Sequence, residues 1–511
     1  MSVLVIDSPW DTAFNDFEFN PKQFPNAQEM IDYIHGMGNK LVLWITPFTN
    51  VRSWVEVEGQ KDRASNFDYA DRNGYFAKDS EGNTMIVTWW KGDGGMIDFT
   101  NEDAKEWWQD QHKKLIEMGV DGFKTDDGEY VPYAAHFSNG KSGREMHNLY
   151  SLLYNEAIYE ALNSSIDEHI LFARSGFAGS QKYPAVWAGD QEGSFNYRDG
   201  LPAVIIAGQN MGMSGFSIWS PDIGGYRTPP DKNCFIRWAQ FGCFSPIMQI
   251  HGQNREPWKF DDETVEIYRK YAKMHNSLFP YSYTYAKIAN ETGLPIMRPL
   301  VLLYPEDQNT YNQDFEYFFG NEFLVAPIYQ NTTQRAVYLP DGEWIDYWNG
   351  TAYQGKQEVR YHAPLDKMPL FVKSGAIIPM ISEKVDTLVP KSMVKDPTVV
   401  SFDDMKSLLI LDVYPKGKSE FVMYDDTSFK CKEKSSGLDF KISRAPCERT
   451  YLLKVRLSDK PNTVKTGWRT LPEVDSVERF LATNEGWVWD ELSSGVLIKI
   501  TLKESGKLKL K

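Results

Sequence analysis

The residues best suited to chemistry lie in the segment Gly119–Glu129, where an apolar stretch ends in a group of carboxylates. If this stretch is a β-strand, its side chains alternate between two faces, and Lys124 and Asp126 share one side. A lysine beside an aspartate at the carboxyl end of a strand is poorly explained by core packing, but it is well placed for chemistry at the mouth of a parallel barrel. Asp127 is interpreted as a helix cap or a similar structural aspartate.

Other predicted strands also end in polar or aromatic side chains. These are Asp7, Trp44, Arg174, Asp190, Asp222 and His251. A retaining glycosidase needs a nucleophilic carboxylate and an acid/base carboxyl group about 5–5.5 Å apart, and the acid/base group needs a raised pKa. Spacing in sequence does not give that distance, but aspartates on strands two apart in a barrel could face each other across its mouth.

An alternation of strands and helices positions these residues. The apolar runs typical of buried parallel strands are Val3–Asp7, Lys40–Pro47, Asp121–Asp126, Ile170–Ser175, Ala185–Asp190, Gly215–Ser220 and Phe244–His251. Amphipathic helices are predicted from about Asn26, from Asn101 and over His147–Leu162. This pattern implies right-handed crossovers, so we expect an α/β fold with a (β/α)8-type TIM barrel over residues 1–297 and an insertion at about 51–100.

The pattern changes after about residue 297. Short alternating runs separated by Gly, Pro, Asn and Asp are typical of antiparallel sheets, and they predict a proximal β-sandwich over 298–379 and a distal β-sandwich over 380–511. Aromatic residues make up 14% of the 511-residue chain. This content suits sugar binding and bulky cores equally well.

Composition excludes several classes of function. The net charge of −15 argues against a nucleic-acid partner. The four cysteines show no CxxC spacing and the eight histidines show no HxH or HExxH, so no metal and no cofactor is predicted. The sequence contains no run long enough to span a membrane and no signal peptide, which favours a cytoplasmic location. Assembly into a homo-oligomer is an open alternative.

In their order along the chain, these motifs resemble glycoside hydrolase family 31, the retaining α-glycosidases that include α-glucosidases and α-xylosidases. Gly122-Phe-Lys-Thr-Asp126-Asp-Gly-Glu129 resembles the nucleophile motif, and Trp187-Ala-Gly-Asp190-Gln resembles the acid/base motif. Further matching segments are Leu4–Asp7, Leu43–Pro47, Arg174-Ser175, Gly212–Gly225 and Gln249–Gly252. The resemblance covers the barrel and extends more loosely through both sandwiches.

The resemblance implies that Asp126 is the nucleophile and Asp190 the general acid/base. The residues expected to bind the sugar are Asp7, Trp44, Lys124, Arg174, Trp187 and His251. Glu129 is expected to be a hydrogen-bonding residue behind the site, and Asp222 a structural residue in its Gly-Gly turn.

A purely structural role is an open alternative for several of these residues. Arg174 could be a structural arginine paired with Asp126 or Asp190, and His251 could be a core histidine. Trp89 and Trp90 are divided evenly between loop packing and a platform for sugar binding.

The sequence also departs from the family pattern. The usual N-terminal sandwich and first barrel strand do not precede Asp7, so we expect an N-terminally incomplete record of a longer enzyme. Asp127 occupies a position where xylosidase-like members often carry an aromatic residue, beside the leaving-group subsite.

The function implied is that of a retaining exo-α-glycosidase that acts on a glycoside or oligosaccharide through a covalent β-glycosyl-aspartate. An α-xyloside or α-glucoside substrate is favoured. The alternatives are an α-galactosidase or sulfoquinovosidase of the same family, an α-transglycosylase, and a truncated non-catalytic carbohydrate-binding protein. A metal-dependent barrel hydrolase is the most distant alternative, because its ligand pattern is missing.

Overall fold

The computed structural model describes residues 2–183, 185–252, 254–491 and 495–511. The chain forms two compact units. The N-terminal unit comprises the residues up to Trp187 together with Asp386–Phe402, and the C-terminal unit comprises Ala188–Val385 and Asp403–Lys511. The predicted domain boundaries at 297 and 379 stay predictions.

The N-terminal unit alternates strands and helices as the sequence predicts. Its elements are β1 (Val3–Ile6), α1 (Ala27–Gly36), β2 (Lys40–Ile45), β3 (Phe48–Ser53), α2 (Phe67–Arg72), β4 (Ile86–Trp89), β5 (Gly92–Met96), α3 (Glu102–Glu117), β6 (Gly122–Thr125), α4 (Gly143–Ser165), β7 (Ile170–Ala173) and β8 (Ala185–Trp187). Strands β1, β2, β6, β7 and β8 pair in that order, all parallel, and form a half-barrel. A 3-10 turn spans Ser180–Lys182.

The parallel sheet brings the predicted site residues to one edge. β2 is buried from its second residue onward, because helices cover parallel sheets and leave little strand surface for water. Trp44 lies opposite Lys124 in the register of β2 and β6. Asp7, Asp126 and Arg174 follow β1, β6 and β7, so all three lie at the carboxyl edge of the sheet.

The segment between β2 and α3 forms a small antiparallel sheet in the order β3–β5–β4. Its hairpin has a two-residue turn, because Trp89 pairs with Gly92. Trp89 is buried at this hairpin and its Nε1 donates to Asn50 at 2.9 Å. The loop-packing alternative therefore holds for Trp89.

Residues 386–402 join the N-terminal unit from far along the chain, and we call them the strap. The amides of Lys395 and Asp396 donate to the carbonyl of Gly36 at 2.7 and 3.0 Å. The Thr387 hydroxyl donates to the Gly38 carbonyl at 2.6 Å, next to the end of α1. The strap is thus hydrogen-bonded to the C-terminal end of α1.

The C-terminal unit begins with a helical part. Its elements are α5 (Leu201–Met213), β9 (Trp219–Ser220), α6 (Lys232–Cys243), α7 (Asp262–Ser277) and α8 (Phe279–Thr292), with a 3-10 turn at Pro257–Lys259. The strand predicted over Phe244–His251 is wrong. Helix α6 ends at Cys243, and the chain then runs irregularly, with one parallel bridge between Gln249 and Asp222. Pro246 lacks a backbone N–H for a ladder, which explains why an apolar run here does not become a strand.

Antiparallel sheets follow, as predicted. The remaining elements are β10 (Met297–Pro299), α9 (Leu300–Leu303), a 3-10 turn (Gln308–Thr310), β11 (Tyr317–Phe319), β12 (Phe323–Val325), β13 (Gln334–Leu339), β14 (Glu343–Asp346), β15 (Ala352–Gln354), β16 (Gln357–His362), β17 (Leu370–Lys373), β18 (Ile377–Met380), α10 (Phe402–Met405), β19 (Leu408–Val413), β20 (Lys418–Val422), β21 (Ser428–Lys434), β22 (Gly437–Ser443), β23 (Arg449–Arg456), β24 (Val464–Thr466), β25 (Arg469–Thr470), α11 (Val477–Ala482), β26 (Gly486–Asp490), β27 (Gly495–Leu502) and β28 (Gly506–Leu510). Their sheets have the orders β10–β11–β12–β17–β14–β15, β13–β16, β18–β19–β23–β27–β26 and β20–β21–β22–β28–β24–β25. The β19–β23 pair is parallel.

Candidate active site

The Asp126 carboxylate is held from three directions at the end of β6. Trp44 Nε1 donates to Oδ2 at 2.7 Å. The backbone N–H of Asp127 donates to Oδ1 at 2.9 Å, and Arg174 Nη1 lies 2.7 Å from the same oxygen. Hydrogen bonds and a cation stabilise the charged form of a carboxylate. Asp126 is thus fixed in position as a nucleophile requires.

Arg174 stands at the centre of an acidic cluster. Its guanidinium pairs with Asp126, Asp127 and Glu129. Burial alone would lower the pKa of Arg174, but the three surrounding carboxylates raise it. One cation therefore faces three acidic side chains. Pairing with Asp126, one of the two structural alternatives for Arg174, is observed within a cluster that also contains the predicted nucleophile.

Asp127 is not a helix cap. The next helix, α4, begins at Gly143, and Ser142 is its N-cap residue. Asp127 instead lies fully buried in a left-handed turn, with φ of 56° followed by 94° at Gly128. Burial and the adjacent Asp126 charge raise the pKa of Asp127 to about 7. The left-handed backbone points its side chain to Arg174 and to Trp90, whose Nε1 lies 3.2 and 3.1 Å from the two carboxylate oxygens.

Lys124 forms an ion pair with Asp7. Its ammonium lies 2.9 Å from Asp7 Oδ2 and 4.6 Å from the centre of the Trp187 ring. The side chain of Lys124 is 4% exposed and that of Asp7 is 34% exposed, so this ion pair is partly open to water. The structure thus brings Asp7, Lys124 and Trp187 together, three of the residues predicted to bind the sugar.

Aromatic rings surround Trp44. The Trp44 and Trp89 rings stack with centroids 6.3 Å apart, and Trp90 meets Trp44 edge-on at 6.0 Å. Lys91 Nζ lies 4.5 Å from the centre of the Trp90 ring. Burial lowers the pKa of Lys91, while the charges of Asp7 and Asp126 oppose that effect.

Sequence reasoning did not single out Lys91. Its electrostatic coupling to both Asp7 and Asp126 places a second ammonium in the field of the candidate site. The available signal was Trp89-Trp90-Lys91-Gly92, an aromatic pair at a hairpin turn within the predicted insertion. Turn residues carry function disproportionately often.

The C-terminal unit holds the other predicted site residues. Asp190 is exposed in a bend that follows Gly189, whose φ is 85°, and Arg227 Nε donates to its backbone carbonyl at 2.8 Å. Asp222 is fully buried and accepts a 2.6 Å hydrogen bond from Gln249 Nε2. The Gly225 amide donates to the Asp222 carbonyl at 2.9 Å, an arrangement that suits the structural role predicted for Asp222.

His251 is only partly buried, at the end of the irregular segment that follows α6. Its ring meets Tyr226 edge-on with centroids 4.7 Å apart. The role of His251 in binding stays a prediction.

The described residues contain neither a cluster suited to a metal ion nor a helix suited to a membrane. Among residues 2–183, 185–252, 254–491 and 495–511, no group of three or more His, Cys, Asp or Glu side chains could hold a metal ion. In the part of the chain that the structure describes, no helix combines the length and the apolar character needed to cross a bilayer.

Residues 1–285 match the model of the glycosyl hydrolases family 31 TIM-barrel domain, and residues 293–378 match that of the glycosyl hydrolase family 31 C-terminal domain. The first match alone covers more than half of the chain, so this chain belongs to glycosyl hydrolase family 31. The predicted fold class, a TIM-barrel domain followed by antiparallel sheets, is confirmed.

Several relatives align with most of this chain at moderate sequence identity. An isomaltosyltransferase of Sporosarcina globispora is 32% identical over 96% of this chain and 46% of its own length. An α-xylosidase of Emericella nidulans is 32% identical over 74% of this chain and 49% of its own length. The crystal structure of a family 31 dextranase of Flavobacterium johnsoniae complexed with glucose has a TM-score of 0.87 at 28% identity, covering 100% of this chain and 66% of that one. The chain spans about half the length of the curated relatives it matches.

Proposed function

We propose that this protein is a retaining α-glycosidase that cleaves a terminal α-glucosyl or α-xylosyl residue from a glycoside or oligosaccharide. The observation that carries the proposal is the Asp126 carboxylate, fixed at a strand end by Trp44, Arg174 and a backbone N–H. Family membership supports the reaction class. One relative is an α-xylosidase and one similar structure is that of a dextranase complexed with glucose, which supports a xylosyl or a glucosyl substrate.

The reaction proceeds in two displacements. Asp126 attacks the anomeric carbon while Asp190 protonates the glycosidic oxygen, so that the C–O bond to the leaving group breaks and a β-glycosyl ester forms. Asp190 then removes a proton from water, which attacks the same carbon and frees Asp126. The released sugar has the α configuration of the substrate.

The other residues bind and orient the sugar. Asp7 and Lys124, paired at 2.9 Å, present an acceptor and a donor for adjacent hydroxyl groups. Arg174 Nε and Trp187 Nε1 are buried donors that find no hydrogen-bond partner among the described residues. Buried polar groups are normally paired, so these two unpaired donors are available for sugar hydroxyl groups. His251 is also proposed to bind the sugar.

Product configuration and covalent trapping test the proposal. A panel of nitrophenyl α-glycosides identifies the sugar, and NMR of the product formed first should show the α anomer. With a 5-fluoro glycosyl fluoride of that sugar, the anomeric fluoride should leave and the peptide containing Asp126 should gain the mass of the 5-fluoroglycosyl group. Asp110→Asn serves as a control, because Asp110 is exposed on α3 and pairs with Lys113 of the same helix at 3.0 Å. A β product, or a label on another peptide, would contradict the proposal.

Transfer to a second sugar in place of water is a second candidate. The isomaltosyltransferase, which aligns with 96% of this chain, favours it. Product analysis at rising substrate concentration separates the two: oligosaccharides longer than the substrate indicate transfer, and free sugar alone indicates hydrolysis.

A further inference from the structure

A cavity of about 420 Å³ lies within the C-terminal unit, where the segment after β17 meets the start of β20. We call it the lysine cavity. The lining residues that matter for its chemistry are Glu322, Lys373, Ser374, Lys416, Lys418 and Ser419. Small-molecule sites in proteins have volumes of about 300–1,000 Å³, so this cavity is large enough for a ligand of the size of a sugar.

Three lysines line this cavity, although the chain as a whole has a net charge of −15. Lys416 has a carboxylate partner, because its Nζ lies 3.0 Å from Glu343 Oε2. Lys373 Nζ donates instead to the Tyr304 hydroxyl at 3.1 Å. Among the described residues, neither Lys373 nor Lys418 pairs with a carboxylate. The cavity therefore carries positive charge that neighbouring side chains do not neutralise.

The register of β20 and β21 sets two lysines side by side. Lys418 lies opposite Lys432, and like charges directly opposite each other destabilise a sheet. The next pair on the same face is Glu420 and Lys430, whose charges are opposite and whose Oε2 and Nζ atoms lie 3.0 Å apart. The Lys418–Lys432 pair has no such compensation within the part of the chain that the structure describes. An anion in the lysine cavity would remove this repulsion.

The acidic groups near the cavity do not cancel this charge. Burial raises the pKa of Glu322, which favours the neutral form of its carboxyl group, and the Tyr285 hydroxyl donates to its Oε2 at 2.6 Å. The nearby Arg298 guanidinium supplies a further positive charge that acts on Glu322. The Glu433 carboxylate accepts a 3.0 Å hydrogen bond from the Gly417 amide. The walls of the cavity thus keep an excess of positive charge.

Serine side chains add neutral polar groups to the cavity wall. Ser374 Oγ donates to Glu343 Oε1 at 2.8 Å, which leaves its own oxygen able to accept. Ser419 Oγ is buried and finds no hydrogen-bond partner among the described residues. Buried polar atoms are normally paired, so the unpaired Ser419 hydroxyl indicates a missing polar partner. A ligand with hydroxyl groups as well as an anionic group would match both serines and lysines.

We propose that the lysine cavity binds a phosphorylated sugar, with the phosphate group at Lys373, Lys416 and Lys418 and the sugar hydroxyl groups at the two serines. Lysine binds phosphate as a mobile point charge, and three lysines around one cavity supply the donors that phosphate oxygens accept. This inference goes beyond the proposed function and does not rest on it, because no residue of the cavity takes part in the proposed reaction.

Calorimetric titration of the whole protein at constant ionic strength tests the site. The probes are glucose 6-phosphate, inorganic phosphate and glucose, and we expect glucose 6-phosphate to bind most tightly. The double variant Lys373→Gln/Lys418→Gln should lower that affinity about tenfold or more. Lys503→Gln is the matched control, since Lys503 is exposed in the bend between β27 and β28 and does not line the cavity. It should leave the affinity unchanged.

Thermal melts separate ligand binding from a role of Lys418 in folding. Lys418→Gln removes one charge of the repulsive pair, so the melting temperature without ligand should stay the same or rise. The further rise caused by glucose 6-phosphate should become smaller than in the wild type. Lys418→Glu places opposite charges across the two strands, so it should stabilise the unliganded protein and abolish the ligand effect. A lower melting temperature without ligand in both variants would overturn the role of Lys418 in binding.

The remaining outcomes decide the proposal. Absence of saturable glucose 6-phosphate binding at millimolar concentrations would overturn it, and so would equal affinities of the double variant and the wild type. Inorganic phosphate that binds as tightly as glucose 6-phosphate would overturn the sugar part, and glucose that binds as tightly would overturn recognition of the phosphate. Asp126→Asn should bind glucose 6-phosphate like the wild type, so failure of the glycosidase proposal would leave this one standing.

Discussion

Two buried carboxylates paired with arginine can be compared, one in each unit. Asp127 lies beside Arg174 in the N-terminal unit, and Glu316 lies 2.7 Å from Arg335 in the C-terminal unit. Burial raises the pKa of each carboxyl group to about 7. By pKa alone, the two positions would be equal candidates for catalysis.

Their surroundings differ in charge balance. Arg335 meets the single carboxylate of Glu316 and donates its other N–H groups to the carbonyls of Phe315, Pro327 and Ala336. Both Glu316 oxygens also lie near the Tyr338 amide, at 3.2 and 3.1 Å. The positive and negative charges of this pair balance each other. The backbone groups that bond to the pair belong to strand β13 and to the segments beside it.

The Arg174 cluster is unbalanced by contrast. One guanidinium meets three carboxylates, its Nε has no partner among the described residues, and a left-handed turn at Asp127 supports it. A raised pKa reports burial in both places. The candidate site differs from the Glu316–Arg335 pair in its excess negative charge at the carboxyl edge of a parallel sheet.

The largest predicted effect is a loss of activity when the Arg174 cluster is changed, which is not expected for the Glu316–Arg335 pair. Asp126→Asn removes the proposed nucleophile and should lower kcat by about 10⁴-fold or more. The melting temperature should change little, because the cluster loses one of its excess negative charges. Steady-state kinetics and thermal melts measure both quantities, and near-normal turnover in Asp126→Asn would refute the nucleophile assignment.

Glu316→Gln should show the reverse behaviour. It leaves the buried Arg335 without its counter-charge, which costs about 3 kcal/mol of stability in comparable pairs. We expect a lower melting temperature with kcat per folded molecule unchanged. A Glu316→Gln protein of normal stability would show that the pair contributes little to the fold.

Arg174→Lys should have a smaller effect on activity than Asp126→Asn. A lysine retains the charge but lacks the planar fork that reaches three carboxylates at once. We expect kcat/KM to fall about 100-fold and the melting temperature to fall by a few degrees. Arg335→Lys is the matched control and should lower stability only.

The smallest predicted effect concerns pH. The pKa of Asp127 is about 7 in the folded protein and near 3.8 when unfolded, so the stability linked to its proton is complete below pH 3.8 and is lost as pH rises through 7. Asp127→Asn has no such proton. The free energy of unfolding of the variant minus that of the wild type should therefore rise by about 2.5 kcal/mol between pH 5 and 8. A flat difference, like the one expected for Asp110→Asn, would contradict the raised pKa.

Sequence patterns predicted the parallel strands better than the segment that follows α6. Strands β2, β6, β7 and β8 are largely buried and β1 is partly exposed, and all five were predicted. The run Phe244–His251 has a similar composition, yet it forms a helix end and an irregular segment. Periodicity does not separate these cases over so few residues.

Sequence patterns also do not identify which side chains contact each other in the candidate site. Strand alternation placed Lys124 and Asp126 on one side, but it does not say which neighbour each one meets. Lys124 pairs with Asp7 from β1, and Arg174 from β7 reaches Asp126. The inward direction of Asp127 depends on a positive φ, which an aspartate does not reveal in sequence.

The strap has a consequence for how the protein is made. The N-terminal unit receives its last segment about 200 residues after Trp187 has been synthesised. At about 5–20 residues per second, the ribosome needs on the order of 10–40 s to supply it. During that interval the end of α1 lacks the hydrogen bonds that Thr387, Lys395 and Asp396 provide. A nascent chain is therefore expected to keep a chaperone-accessible patch at this helix until translation passes residue 402.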